Sequence, residues 1–177
     1  MSTSLRGYCI KLSELRSLVK NPPAGLLEEF DQRFPNPFEP RKKRSKRSPG
    51  KPLTELLKSD SEGRLLEIMC EVRGVKIESS FFEDAKVTYI SAALKAGMGG
   101  GVCERLLEPR LPVPLPMDDT GPPWISYLTR EEIEAGLAQP DKDVPDLDNE
   151  VLDARDDLRV WLETAREHGN DLVVFGT

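Results

Sequence analysis

Histidines, closely spaced cysteines and long apolar runs are scarce in this chain, and each scarcity excludes a class of protein. The single histidine, His168, excludes the zinc and iron sites that are built from several histidines. The 3 cysteines, Cys9, Cys70 and Cys103, lie too far apart for a C-x-x-C pair or a disulfide framework. No stretch approaches the roughly 20 apolar residues that span a bilayer. We therefore expect no metal, no cofactor and no membrane partner.

What is present is a chain of 177 residues, a length typical of one domain with its own hydrophobic core. Its first residues lack the apolar run of a secretory signal. Its cysteines lie in apolar stretches, as reduced and buried thiols do. These features predict a single globular domain over 1–177 in a cytoplasmic protein.

The net charge of −6 conceals two oppositely charged parts. Residues 1–52 carry 12 Lys/Arg and 5 Asp/Glu, whereas 53–177 carry 13 and 26. The acids are densest in 118–157, with 13 against 3 bases. Prolines interrupt the basic segment 35–52, which predicts an exposed, flexible loop. Its cations are candidates for anion binding: Arg41, Lys42, Lys43, Arg44, Lys46 and Arg47.

The first half of the chain predicts a strand followed by helices. Residues 5–12 alternate as a strand, and Ser13 is a candidate cap for the helix that Asn21-Pro22-Pro23 ends. Further helices are predicted over about 26–34, 61–73 and 82–96, with a short extended piece over 75–77. The helix over 61–73 has a stripe of Leu65, Ile68, Met69 and Val72, and Gly74 suits a left-handed C-cap.

The second half begins with a proline-rich connector over 109–123. Thr129 and Glu132 then form a capping box, and Asp148 caps a last helix that closes at His168-Gly169. The apolar run 172–175 predicts a strand in the interior of a sheet, paired with the N-terminal strand. The predicted fold is α+β (mixed α/β): one domain with a small sheet that includes the N- and C-terminal strands, surrounded by four to six helices.

No catalytic residue is predicted. His168 is better explained as a helix C-cap than as a general base, because no nucleophile stands beside it. The glycines at 97–101 lack the strand and the Gly-Lys-Ser/Thr of a phosphate-binding loop. The acidic pairs lack the glycine and closing glutamate of an EF-hand.

A protein-binding face is predicted in the acidic stretch 118–157. Aromatic side chains are frequent interface anchors, and acids attract a basic partner. The candidate residues are Trp124, Tyr127, Asp118, Asp119, Glu131 and Glu134. An alternative for the aromatic residues is that they pack the connector onto the core.

Three segments together carry a resemblance to a known group. They are Tyr8-Cys9-Ile10-Lys11-Leu12, the run 112–116 leading to Ile125-Ser126-Tyr127-Leu128-Thr129, and the helix with Leu158-Arg159-Val160-Trp161-Leu162. Their order resembles small uncharacterised bacterial proteins of the YfbM-like kind. The resemblance implies a single mixed α/β domain and assigns no catalytic residues.

These observations favour a non-enzymatic protein-binding module, immunity-like or an adaptor, whose partner is another protein. Two alternatives stay open. One is a small-molecule enzyme that uses carboxylates or His168 as acid and base. The other is an accessory protein that binds anions or nucleic acid through 41–47. Nucleic acid is the less favoured partner, because the rest of the chain is acidic and no aromatic residue interrupts the basic run.

Overall fold

The structure is a computed structural model that describes residues 5–21, 23, 25–26, 63–77, 98, 101–115, 124–141 and 148–176. These residues form four strands and five helices, in the order β1 (Leu5–Ile10), α1 (Leu12–Lys20), α2 (Arg64–Arg73), β2 (Val75–Ile77), α3 (Val102–Leu107), β3 (Trp124–Leu128), α4 (Arg130–Leu137), α5 (Asn149–Glu167) and β4 (Asp171–Gly176). The fold is α+β, as predicted. The predicted helices over 26–34 and 82–96 and the basic loop over 35–52 lie largely or wholly outside the described residues.

The four strands form one antiparallel sheet in the order β2-β1-β4-β3. The two terminal strands pair along their full length, from Leu5 opposite Gly176 to Ile10 opposite Asp171. This pairing and the interior place of β4 confirm both predictions. The physical reason is that residues 172–176 are buried on both sides, so no face of β4 tolerates water.

Helices cover both faces of the sheet, and two apolar clusters result. On the first face, α3, α4 and α5 pack against Cys9, Leu128, Leu172 and Val174. On the second face, α1, α2 and the segment 111–115 pack against Tyr8, Ile125, Tyr127, Val173 and Phe175. The alternation of side chains along each strand sends successive residues into different clusters.

Glycines in two strands make room for the two tryptophans on the first face. A Cβ added to Gly7 would lie 2.7 Å from the Trp161 ring, and one added to Gly176 would overlap the Trp124 indole. The large ring of Trp161 can therefore lie close against the sheet, where it is fully buried. Its packing joins α5 to β1.

The ends of α4 and α5 confirm the predicted caps. The Thr129 hydroxyl accepts from Glu132 N–H at 3.3 Å, and Thr129 N–H donates back to the Glu132 carboxylate at 2.8 Å. The Asp148 carboxylate accepts from Glu150 N–H at 3.1 Å. After α5, Gly169 is left-handed, with φ of 62°, and Asn170 N–H donates to the Ala165 carbonyl. This pair completes a Schellman ending.

The N-terminus of α1 corrects the prediction for Ser13. The helix begins two residues earlier, at Leu12, and its N-cap Lys11 makes no side-chain cap bond. The acceptor comes instead from β4, because Asp171 Oδ2 accepts from Leu12 N–H at 2.6 Å. The other oxygen, Oδ1, accepts from Arg130 N–H of α4 at 2.8 Å. One carboxylate thus caps two helices on opposite faces of the sheet.

Helix α2 ends at Arg73 as predicted, but its start, its buried side and the conformation of its C-cap differ from the prediction. It begins at Arg64, and its fully buried residues are Leu66, Met69 and Cys70. The rest of the predicted stripe is half-buried at the margin of the second cluster. Gly74 is extended rather than left-handed. Space is what requires glycine there, because a Cβ would lie 2.6 Å from the Cys70 carbonyl oxygen and 2.9 Å from that of Cys9.

Two elements, α3 and β3, were not predicted. Helix α3 has six residues and follows the left-handed Gly101, so it is too short to show a clear helical spacing of apolar residues. Strand β3 directly precedes the capping box and is buried throughout, with Arg110 N–H donating to the Ile125 carbonyl at 2.8 Å beside it. The described part of the predicted connector, 109–115, has no helix or strand. It packs onto the second face through Val113.

Candidate functional site

The two aromatic residues of the predicted partner-binding face are buried in β3. Trp124 is 8% exposed and belongs to the first-face cluster, whereas Tyr127 is 9% exposed and belongs to the second. They do not form an exposed pair, because side chains three positions apart in a strand point to opposite faces of the sheet. Helices or connecting segments cover both faces. Their placement matches the alternative in which they pack against the core. Asp118 and Asp119 lie outside the described residues.

The remaining candidates, Glu131 and Glu134, lie exposed on α4. This helix packs against α5, whose sequence contains six acids and three arginines. The acids follow the outer side of α5 at helical spacing. We call them the acidic row: Asp153, Asp156, Glu163 and Glu167.

Val160 lies within the acidic row and is 52% exposed. It stands four residues after Asp156 and three before Glu163, so the helix period places all three on one side. The buried residues of α5, which include Leu158 and Trp161, occupy the opposite side. Val160 is therefore an exposed apolar side chain with carboxylates on both sides along the helix.

Arginines flank the acidic row, and a carboxylate outside the row engages them. Asp141 Oδ2 lies 2.8 Å from Arg159 Nη2 and 3.8 Å from Arg155 Nε. Arg155 Nε is also 3.8 Å from Asp156. Because Asp141 holds both arginines at the flank, they compensate the row only in part.

A second polar group, at the β3 edge of the sheet, ties Arg110 to Tyr127 of the second face and to Glu132 of α4. Arg110 Nη1 donates to both Glu132 oxygens, at 2.8 and 3.0 Å, and its guanidinium carbon lies 4.1 Å from the centre of the Tyr127 ring. Arg105 approaches the same carboxylate at 3.4 Å. Burial by itself raises the pKa of Glu132, but the hydrogen bonds from Thr129 N–H and Arg110 and the nearby positive charges lower it below its ordinary value. Hydrogen bonding to Glu132 raises the pKa of Arg110.

Sequence reasoning identified Glu132 only as part of a capping box. Its partner Arg110 is 22 residues away, beyond a proline-rich segment, so no local spacing signals the pair. The strand β3 creates the contact, because Arg110 N–H donates to the Ile125 carbonyl of β3 and the strand leads directly into the capping box that contains Glu132.

A third polar group joins β1 to α2. Glu67 Oε1 accepts from the Tyr8 hydroxyl at 3.1 Å and pairs with Arg6 at 2.8 Å. Burial and the neighbouring carboxylate raise the pKa of Tyr8 far above its ordinary value. The phenol therefore stays a proton donor at neutral pH. With Tyr8 1% exposed, its chemistry is that of a buried tether.

The nucleophile and base candidates lie in the core and at a helix end. Cys9, Cys70 and Cys103 are buried free thiols, and burial raises the pKa of each. A thiol with a raised pKa is a poor nucleophile. His168 is exposed at the C-cap of α5, as predicted, and its backbone N–H donates to the Thr164 carbonyl.

Neither a metal cluster nor a membrane span is found in the described part of the chain. No group of three or more His, Cys, Asp or Glu side chains in those residues is arranged to hold a metal ion. Among the same residues, no helix is both long and apolar enough to cross a bilayer.

The fold and these groups define a small α+β domain with a two-sided sheet whose interior polar contacts hold elements together. The chain belongs to the family described as a domain of unknown function, DUF7691, whose model matches residues 1–177. Comparison with curated proteins and with solved structures finds no match. The resemblance to the YfbM-like group stays a prediction.

Proposed function

We propose that this protein is a non-enzymatic protein-binding module of the bacterial cytoplasm, immunity-like or an adaptor. It binds a partner with a basic surface through the acidic row of α5 and the adjoining acids of α4. The observation that carries the proposal is Val160, 52% exposed in the middle of the row.

An apolar side chain inside a charged row combines the two contributions that an interface uses. The carboxylates attract and orient a cationic partner, which mainly raises the association rate. The apolar centre loses water when the partner docks, which slows dissociation. Glu131 and Glu134 extend the negative charge from α5 onto α4.

The buried aromatic residues give this surface a fixed shape. Trp161 of α5 lies on the sheet beside Gly7, and α4 packs along α5. The exposed sides of the two helices are therefore held by the core. A fixed surface loses less entropy on binding than a mobile one.

The test places a photo-crosslinking amino acid at position 160 and, as a matched control, at Val75. Val75 is the other large apolar residue among the described ones with an exposed side chain, 42% accessible on the edge strand β2. Crosslinking in native cells should yield one stoichiometric protein at 160 and not at 75. Equal products at both positions would contradict the proposal.

A second measurement uses the captured partner with purified protein. Replacing Asp153 and Asp156 with asparagine should slow association about tenfold at low salt, with little change at high salt, because screening removes long-range attraction. The control replaces Glu14 and Glu71, exposed acids of α1 and α2, with glutamine. An equal effect of both pairs would indicate that net charge, rather than the acidic row, governs binding.

A further inference from the structure

Two arginines from separate elements approach one tyrosine ring on the second face of the sheet. The guanidinium carbon of Arg110 lies 4.1 Å from the centre of the Tyr127 ring, and that of Arg16, in α1, lies 5.9 Å from it. The two carbons are therefore within about 10 Å of each other. Arg16 is exposed and the Arg110 side chain is 38% exposed, so solvent reaches both.

Both arginines retain hydrogen-bond donors beyond those they use. Arg110 binds Glu132 through Nη1 alone, although a guanidinium has about five N–H groups. Arg16 donates its Nε–H to the Pro112 carbonyl at 3.0 Å, and its terminal nitrogens bond to none of the described residues. These bonds and the shared ring orient both groups while leaving donors for a ligand.

Positive charge exceeds negative charge at this place. Arg105 and Arg110 both contact Glu132, at 3.4 and 2.8 Å, whereas Arg16 makes no ion pair with a carboxylate of the described residues. Such an excess stands out in a chain with a net charge of −6. Clustered like charges repel, and a bound anion relieves that repulsion.

We propose that Arg16 and Arg110, beside Tyr127, form a binding site for a phosphate group, with Arg105, which also contacts Glu132, adding attraction. A phosphate monoester carries about −1.5 to −2 charges at pH 7, which matches two guanidinium groups better than a single carboxylate does. Planar arginine forks also match the oxygen spacing of phosphate. The site lies on the second face, whereas the acidic row belongs to the first, so it does not rest on the proposed function.

The test measures the affinity of the full chain for inorganic pyrophosphate by calorimetry at constant ionic strength. Arg16→Gln should weaken binding about tenfold, the effect expected for a hydrogen bond to a charged group. Lys76→Gln is the matched control, because Lys76 is an exposed cation on β2, at the opposite edge of the sheet. It should weaken binding less than about twofold.

Arg110→Lys provides a second variant that preserves charge. It should also weaken binding about tenfold, since lysine lacks the planar fork. Equal losses in Arg16→Gln and Lys76→Gln, or an unchanged affinity in both Arg16→Gln and Arg110→Lys, would overturn the proposal. So would an unaltered chain that binds neither pyrophosphate nor phosphatidate vesicles.

Binding to lipid vesicles shows whether the phosphate group belongs to a lipid or to a soluble molecule. Sedimentation with vesicles of phosphatidylcholine containing phosphatidate, compared with phosphatidylcholine alone, detects a lipid headgroup. Binding of pyrophosphate without vesicle binding supports a soluble phosphorylated molecule, and vesicle binding that Arg16→Gln abolishes supports the same site with a lipid as its source.

Discussion

Replacing Asp171 with alanine should destabilise the domain through two helices at once. Its Oδ2 accepts from Leu12 N–H at 2.6 Å and its Oδ1 from Arg130 N–H at 2.8 Å. These amides begin α1 and α4, where helical N–H groups have no partner within the helix. Alanine removes both acceptors and the negative charge near two helix N-termini.

The two bonds differ in their surroundings, and this sets the magnitude. The bond to Leu12 is part-buried, so its unpaired amide costs about 1–3 kcal/mol. The bond to Arg130 is exposed, and water can replace the carboxylate at a cost of about 0.5–1 kcal/mol. The expected loss in the free energy of unfolding is about 2–4 kcal/mol. For a domain of this size that lowers Tm by about 5–15 °C.

Urea denaturation of Asp171→Ala, with Asp148→Ala as control, measures the difference. Asp148 caps α5 alone through an exposed bond, so its removal should cost about 0.5–1 kcal/mol. Asp171→Asn should fall between the unaltered chain and Asp171→Ala, because an amide keeps one acceptor oxygen. A loss in Asp171→Ala no larger than that in Asp148→Ala would refute the double-cap argument.

Three further outcomes are expected. Gly7→Ala should cost about 1–3 kcal/mol of stability in a denaturant titration, because the new Cβ would lie 2.7 Å from the Trp161 ring; a change below about 0.5 kcal/mol would contradict this close packing. Burial raises the pKa of Cys9 to about 11, and burial with nearby carboxylates raises that of Cys103 to about 12. The contribution of these protonated thiols to the free energy of unfolding is therefore complete below pH 9 and is lost as the pH rises through those values. Unfolding curves from pH 8 to 11 should show a smaller decline in Cys9→Ala than in the unaltered chain, and equal declines would count against burial as the cause. Because the folded state lowers the pKa of Glu132, its contribution to the free energy of unfolding is present above its unfolded pKa of about 4.3 and is lost as the pH falls. Glu132→Gln should therefore make stability fall less steeply at acid pH. An unchanged acid dependence would show that another carboxylate governs it.

Helix α5, the longest among the described residues, was predictable because its determinants are local. Asp148 caps it, Val151, Ala154, Leu158, Trp161, Leu162 and Ala165 form its buried side, and Gly169 ends it. Each signal lies within a few residues of the position that it controls. The same holds for the Thr129–Glu132 capping box.

Predictions failed where the determinant comes from a distant part of the chain. Ser13 has the chemistry of a cap, yet Asp171 supplies the acceptor from 159 residues away. Gly74 follows a helix as a left-handed cap does, yet the neighbouring carbonyl of Cys9 is what excludes a side chain. For Tyr127 the sequence left an exposed and a core-packed position open, and the pairing of β3 with β4 decides for burial.

The candidate sites divide in the same way. The excess of acids in the second half of the chain is a property of composition, and helical spacing alone places several of them with Val160 on one side of α5. The cluster of Arg16, Arg110 and Tyr127 has no such local pattern. It exists because α1, the proline-rich connector and β3 meet on the second face.

The sequence by itself determines the scarcity of histidine, the wide spacing of the cysteines and the two oppositely charged parts. It also determines the caps of α4 and α5 and the apolar strand β4. Each depends on residue counts or on neighbours within one turn or one strand. Only the tertiary structure decided that both faces of the sheet are covered, that Asp171 joins two helices and that two arginines share Glu132. These features depend on packing between residues far apart in the chain, and packing distances are not encoded in local spacing.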